Sequence, residues 1–185
     1  MMKRTRAAVV AMTVFALVGC SEFKQDGGSA VNESLTAPQA QEKIYAYMRE
    51  TLGELPAGAA LSKVPDNTEL GVRRSLRPNA VPCWDGNIQS SGPRYLSVHY
   101  WITGLPAGSV QQYYDQIGAS WKAKGWEIQT MGTDVIKASI PDGFGLKVQD
   151  AGKGDGSLSL AGYSPCIPES TIDQLANNPE TIPRP

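Results

Sequence analysis

The sequence has a single histidine, only three cysteines and no surplus of basic residues, and each shortage excludes a class of function. One histidine cannot build the multi-histidine sites in which zinc is commonly held. With 17 basic and 18 acidic side chains, the net charge is −1, without the clustered positive excess of a nucleic-acid binder. No apolar run approaches the roughly 20 residues of a membrane-spanning helix. Catalytic signatures are scarce too. Gly-x-Ser-x-Gly does not occur, and the Ser-x-x-Lys spacing of Ser21 and Lys24 sits in a polar stretch where no pocket can form. Gly143, Gly145, Gly152, Gly154 and Gly156 fall between expected strands rather than at a helix start, so they read as turn glycines and not as a phosphate loop. Asp150 and Asp155 miss the spacing of an EF-hand, and no carboxylate pair stands out for glycoside chemistry. No catalytic residue, no metal and no cofactor is expected.

What is present begins with an address. Lys3, Arg4 and Arg6 precede an apolar run, Ala7 to Leu17, broken only by Thr13, which is the layout of a secretory signal. The run closes on Leu17-Val18-Gly19-Cys20-Ser21, which resembles the lipobox of bacterial lipoproteins. That resemblance implies a signal peptide at 1–19, removal of it, and diacylation of Cys20 on sulfur. The protein would then be held at the outer face of the cytoplasmic membrane, in the cell envelope. More than one acyl chain matters, because a single chain binds membranes only marginally and reversibly. Residues 20–35, polar and with Gly27-Gly28-Ser29 in the middle, read as a flexible tether. Loss of residues 1–19 removes three basic side chains and no acid, so the mature chain is mildly acidic. With Cys20 given to lipid, Cys83 and Cys166 form an even pair in an oxidising compartment, where a disulfide is expected.

The rest reads as one domain at 36–166 and a proline-rich carboxyl-terminal tail at 167–185. Thr36 and Gln39 have capping-box spacing, and Ala40, Ile44, Tyr47, Met48 and Leu52 recur at helical intervals, predicting a helix over 37–52. Pro56, Gly58, Pro65, Gly71, Pro78 and Pro82 mark 53–82 as mainly ordered loop. Its cluster Arg73, Arg74 and Arg77 reads as a solvated face rather than an anion site. Residues 94–103 alternate as a strand, with Leu96, Val98, Tyr100 and Ile102 on one side. A second capping box at Ser109 and Gln112 opens a helix that ends at Gly125. Four short strands follow, at 126–131, 134–140, 144–150 and 157–164, linked by turns too tight for anything but antiparallel pairing. The expected fold is α+β: a two-layer sandwich, with a mostly antiparallel sheet of about five strands and two helices packed on one face.

The lipobox, the tether, Pro82-Cys83-Trp84, Trp121 to Trp126 and Ser164-Pro165-Cys166 together resemble the small exported lipoproteins of actinobacteria. The resemblance implies a lipid anchor, one disulfide and a compact α+β domain, and it transfers no catalytic residue. The functional clue in the residues themselves is aromatic. Tyr95, His99 and Trp101 share the outward side of the strand at 94–103, and Tyr163 points the same way, near Lys137 and Lys147. Exposed rings there would form a platform for an envelope protein, a glycan or a lipid. The alternative is that the tail or the 53–82 loop folds over them. The expected function is non-enzymatic binding or scaffolding at the membrane. Its rivals are an envelope hydrolase or lipid-modifying enzyme with an unrecognised site, and a lipid carrier.

Overall fold

The structure is a computed structural model, and it describes residues 30–69, 71–84 and 91–185. Cys20, the lipobox and most of the tether lie outside the described residues. The fold is α+β, with an open antiparallel sheet of eight strands, two α-helices and a short 3-10 helix. In chain order the elements are α1 (Ala37–Gly53), β1 (Ala60–Ser62), β2 (Asn79–Pro82), β3 (Arg94–Thr103), α2 (Val110–Ala123), β4 (Glu127–Met131), β5 (Val135–Ser139), β6 (Gly145–Asp150), β7 (Leu158–Tyr163), the 3-10 helix (Glu169–Gln174) and β8 (Thr181–Pro183). The sheet runs β4-β5-β6-β7-β3-β1-β8, and β2 adds to β3 beside that path.

Eight strands replace the expected five because β1, β2 and β8 have only three or four residues each, too few for an alternation signal. Pro82 and Pro183 disguise two of them further, since proline in a strand normally argues against it. The segment after Cys166, expected as a surface-bound or loose tail, is built into the fold. Ile167 exchanges both backbone hydrogen bonds with Arg94, and β8 closes the sheet against β1 with Ile182 1% exposed.

The capping box that starts α1 is present: Gln39 N–H donates to the Thr36 hydroxyl, and Thr36 N–H donates to Gln39 Oε1. The second expected box is not. The Ser109 hydroxyl turns back to the Pro106 carbonyl instead, a local bond that competes with capping. α1 rests on β3 and β7, and α2 on β4 and β6. Gly162 in β7 allows the first approach, because a Cβ there would lie 2.5 Å from Ile44 Cγ2. The Trp121 indole of α2 donates to Thr51 Oγ1 of α1 at 3.0 Å, joining the two helices above the core. That core holds Leu96, Val98, Tyr100 and Ile102 with Leu146, Val148 and Leu160, each essentially removed from water. Cys83 and Cys166 form a disulfide, with Cα atoms 6.1 Å apart, that ties the end of β2 to the segment after β7. Among the described residues, no helix is long and apolar enough to cross a membrane.

Candidate functional site

The sheet has a gap at its centre. One edge of β3 is paired by β7 along Ser97–Trp101. The other edge is shared by two short strands, with β2 opposite Arg94–Ser97 and β1 opposite Trp101–Thr103. Val98, His99 and Tyr100 therefore have no strand partner on that side. An ammonium group fills the missing position: Lys63 Nζ donates to the His99 carbonyl at 2.8 Å and lies 3.6 Å from the centre of the Tyr100 ring. Lys63 is 1% exposed, and no carboxylate pairs with it among the described residues. Burial, with Arg74 nearby, brings its amine down to about 7.

The segment that joins β1 to β2 crosses this gap as a strap. Arg74 N–H donates to the Lys63 carbonyl, and Asn178 N–H donates to the Leu76 carbonyl from the other side. Trp101 anchors the strap from below. Its indole N–H donates to the Val72 carbonyl at 2.9 Å, and the Arg74 guanidinium lies over its ring at 4.3 Å. Gly71 permits this contact, since a Cβ there would sit 2.6 Å from Trp101 Cζ2.

These contacts separate the four aromatic residues expected on one open face. Tyr95, His99 and Tyr163 do meet: Tyr163 stands edge-on to His99 at 6.1 Å and tilted to Tyr95 at 6.5 Å. Trp101 does not join them. It is 5% exposed and covered by the strap, so it offers no open platform. The physical reason is that a ring of this size, next to a long loop in need of an apolar seat, is more stable covered than wet.

Between the strap and β3 lies a cavity of about 430 Å³, bordered by Arg74, Arg77, Asn79, Ser97, His99 and Asn178. A second cavity of about 660 Å³ shares Arg77 and Asn79 and runs on toward Ile172, Asp173 and Leu175, making one groove. Its inner end is rich in donors. Among the described residues, Arg74 Nε is buried with no hydrogen-bond partner. The Asn178 side-chain carbonyl accepts from Tyr45 Oη and Gln41 Nε2, and its amide hydrogens meet no acceptor among the described residues. His99 Nε2 and Ser97 Oγ lie 2.6 Å apart. His99 is pushed down to about 4 by burial first, then by Lys147, Arg74 and Lys63, so its ring is neutral at pH 7. Burial also pushes Tyr163 up to about 12.

Charge is unevenly paired around the groove. Arg73 meets Glu180 at 2.7 Å and Arg94 meets Glu169 at 3.4 Å. Lys63, Arg74, Arg77 and Lys147 have no carboxylate within ion-pair distance among the described residues. No described group of histidine, cysteine and carboxylate side chains is placed to hold a metal ion. Lys63 and Asn178 were not candidates in the sequence, and Arg74 was read as solvated. The signal for Lys63 is its position two residues after Leu61, which puts it on the buried side of a strand too short to recognise. Comparison with known proteins finds no matching family model, no matching curated protein and no matching solved structure.

Proposed function

We propose that this chain is a non-enzymatic binding domain of the cell envelope, anchored through lipid on Cys20 and taking its ligand in the groove between the strap and β3. The observation that carries the binding role is the groove itself: a cavity in which, among the described residues, Arg74 and Arg77 have no carboxylate partner and Arg74 Nε has no acceptor. Such groups cost stability unless something else satisfies them, which is a reason to keep them at a binding site. The anchoring role rests on the lipobox and on the tether that follows it. Fractionation of cells expressing a Cys20→Ala variant tests the anchor. Release of the protein from membranes is the expected result, and continued retention in the membrane fraction contradicts it.

A second reading has one specific observation in its favour, the Ser97–His99 pair in a cavity. A nucleophilic serine needs a histidine of useful basicity, oriented by an acid on its far nitrogen. Among the described residues no carboxylate reaches the His99 ring, and three cations weaken it as a base. A fluorophosphonate probe that labels Ser97, with labelling lost in Ser97→Ala, would establish the hydrolase instead.

A further inference from the structure

We infer that the inner end of the groove is a phosphate-binding site, with Arg74, Asn178 and the Ser97–His99 pair as its donors and Arg77 at its mouth. This deepens the binding reading above and rests on it. Three observations converge. The first is cationic surplus: Arg74 and Arg77 line the site without carboxylate partners among the described residues, while Arg73 and Arg94 nearby are each paired. The second is unmet donor capacity. Arg74 Nε is buried without an acceptor among the described residues, and the Asn178 side-chain carbonyl already accepts from Tyr45 and Gln41, so its amide is the part of that cavity-lining side chain still able to bind a ligand. The third is shape. Guanidinium, amide, hydroxyl and imidazole approach the cavity from the strap, from the segment before β8 and from β3, so they surround a volume rather than line a plane. A carboxylate has two oxygens in one plane and would leave part of this set unmet. A tetrahedral phosphate presents three or four, and arginine forks match it well.

The 430 Å³ of the inner cavity holds a phosphate together with part of what carries it, and the outer groove past Ile172 and Leu175 has room for the remainder. The carrier is either a phospholipid headgroup or a soluble phosphorylated compound, and the chemistry of the site is common to both.

His99 is the sole histidine, so its ring signals in NMR report on this site without assignment. The groups facing it are Lys63, Arg74, Lys147, Ser97 and the Tyr163 ring, with Tyr95 behind Tyr163. A bound phosphate would offset the three cations and raise the titration midpoint of the ring.

The experiment uses the full-length chain in detergent, titrated separately with inorganic phosphate, dihexanoyl phosphatidic acid and N-acetylglucosamine. Saturable shifts of the His99 ring with phosphate, weakened roughly tenfold or more in Arg74→Gln, support a soluble phosphate ligand. The same pattern with the phosphatidic acid alone supports a headgroup. Arg77→Gln, at an exposed position that the fold does not need, should weaken binding by a smaller factor and guards against a misfolded Arg74 variant. Shifts with the neutral sugar and not with either phosphate overturn the phosphate assignment and leave the groove a binding site. No shift with any probe overturns the phosphate assignment and removes the groove from the binding reading as well.

Discussion

The ammonium of Lys63 donates to the main-chain carbonyl of His99 at 2.8 Å, in the one stretch of β3 that lacks a strand on that side. A side chain therefore stands where the next strand would be. Its burial has a thermodynamic consequence. The folded amine titrates near 7 and the unfolded one near 10.5, so between these values the unfolded chain binds more protons. Stability should rise with pH from about 7 to about 9, by at most about 1.4 kcal/mol per pH unit for one proton. Above pH 10 the buried tyrosines, held protonated in the fold, reverse the trend. Urea denaturation at pH 7 and pH 9 reads the slope, and Lys63→Met should flatten it.

Trp101 is the seat of the strap, so its loss should act first on the strap. Trypsin supplies the assay because Arg73 and Arg74 lie there, while Arg77 is protected by the proline that follows it. Trp101→Ala should speed cleavage at these two arginines well beyond cleavage after the exposed Lys153. Equal acceleration at all sites would mean that the whole domain had loosened instead.

At Gly162 the expectation is steric. A Cβ would collide with Ile44, so Gly162→Ala should cost about 1–3 kcal/mol through forced displacement of α1. A Gly152→Ala control in the open turn before β7 meets no atom but has a positive φ, so any loss there is conformational and not due to packing. Chemical denaturation separates the two, and adding Ile44→Leu, which lacks the clashing Cγ2, should recover part of the loss only in the Gly162 variant.

The Cys83–Cys166 disulfide closes a loop that contains β3, α2 and four further strands. Cys83→Ser with Cys166→Ser should lower stability by roughly 4 kcal/mol in the chain-entropy account. Reductant in the denaturant series should lower the wild-type midpoint to that of the double variant and leave the variant unchanged, which locates the effect in this bond.

How much of this was legible beforehand follows from the length and regularity of each element. β3 has ten residues of clean alternation, and α1 has a capping box and an apolar stripe, so both were readable to within a residue. β1, β2 and β8 are held by neighbours rather than by their own pattern, and a three-residue strand has no period to detect. The site suffered from the same blindness. Tyr95, His99 and Tyr163 were visible because they sit on long strands. Whether they were open depended on the strap, whose course is set by contacts with Lys63, with Trp101 29 residues away in sequence, and with Asn178 farther still. Arg74 was misread as solvated for this reason: its neighbour Arg73 does face water, and only the strap's path turns Arg74 inward over an indole ring.

The titration of His99 tests the central claim most directly, because burial beneath the strap depresses it first and the neighbouring cations depress it further. In the ligand-free protein the ring should titrate near 4 by proton or carbon NMR, and the midpoint should rise when Arg74 is replaced by Gln. A midpoint near the ordinary 6.5, unmoved by that replacement, would mean an open and uncharged face, and would contradict the account.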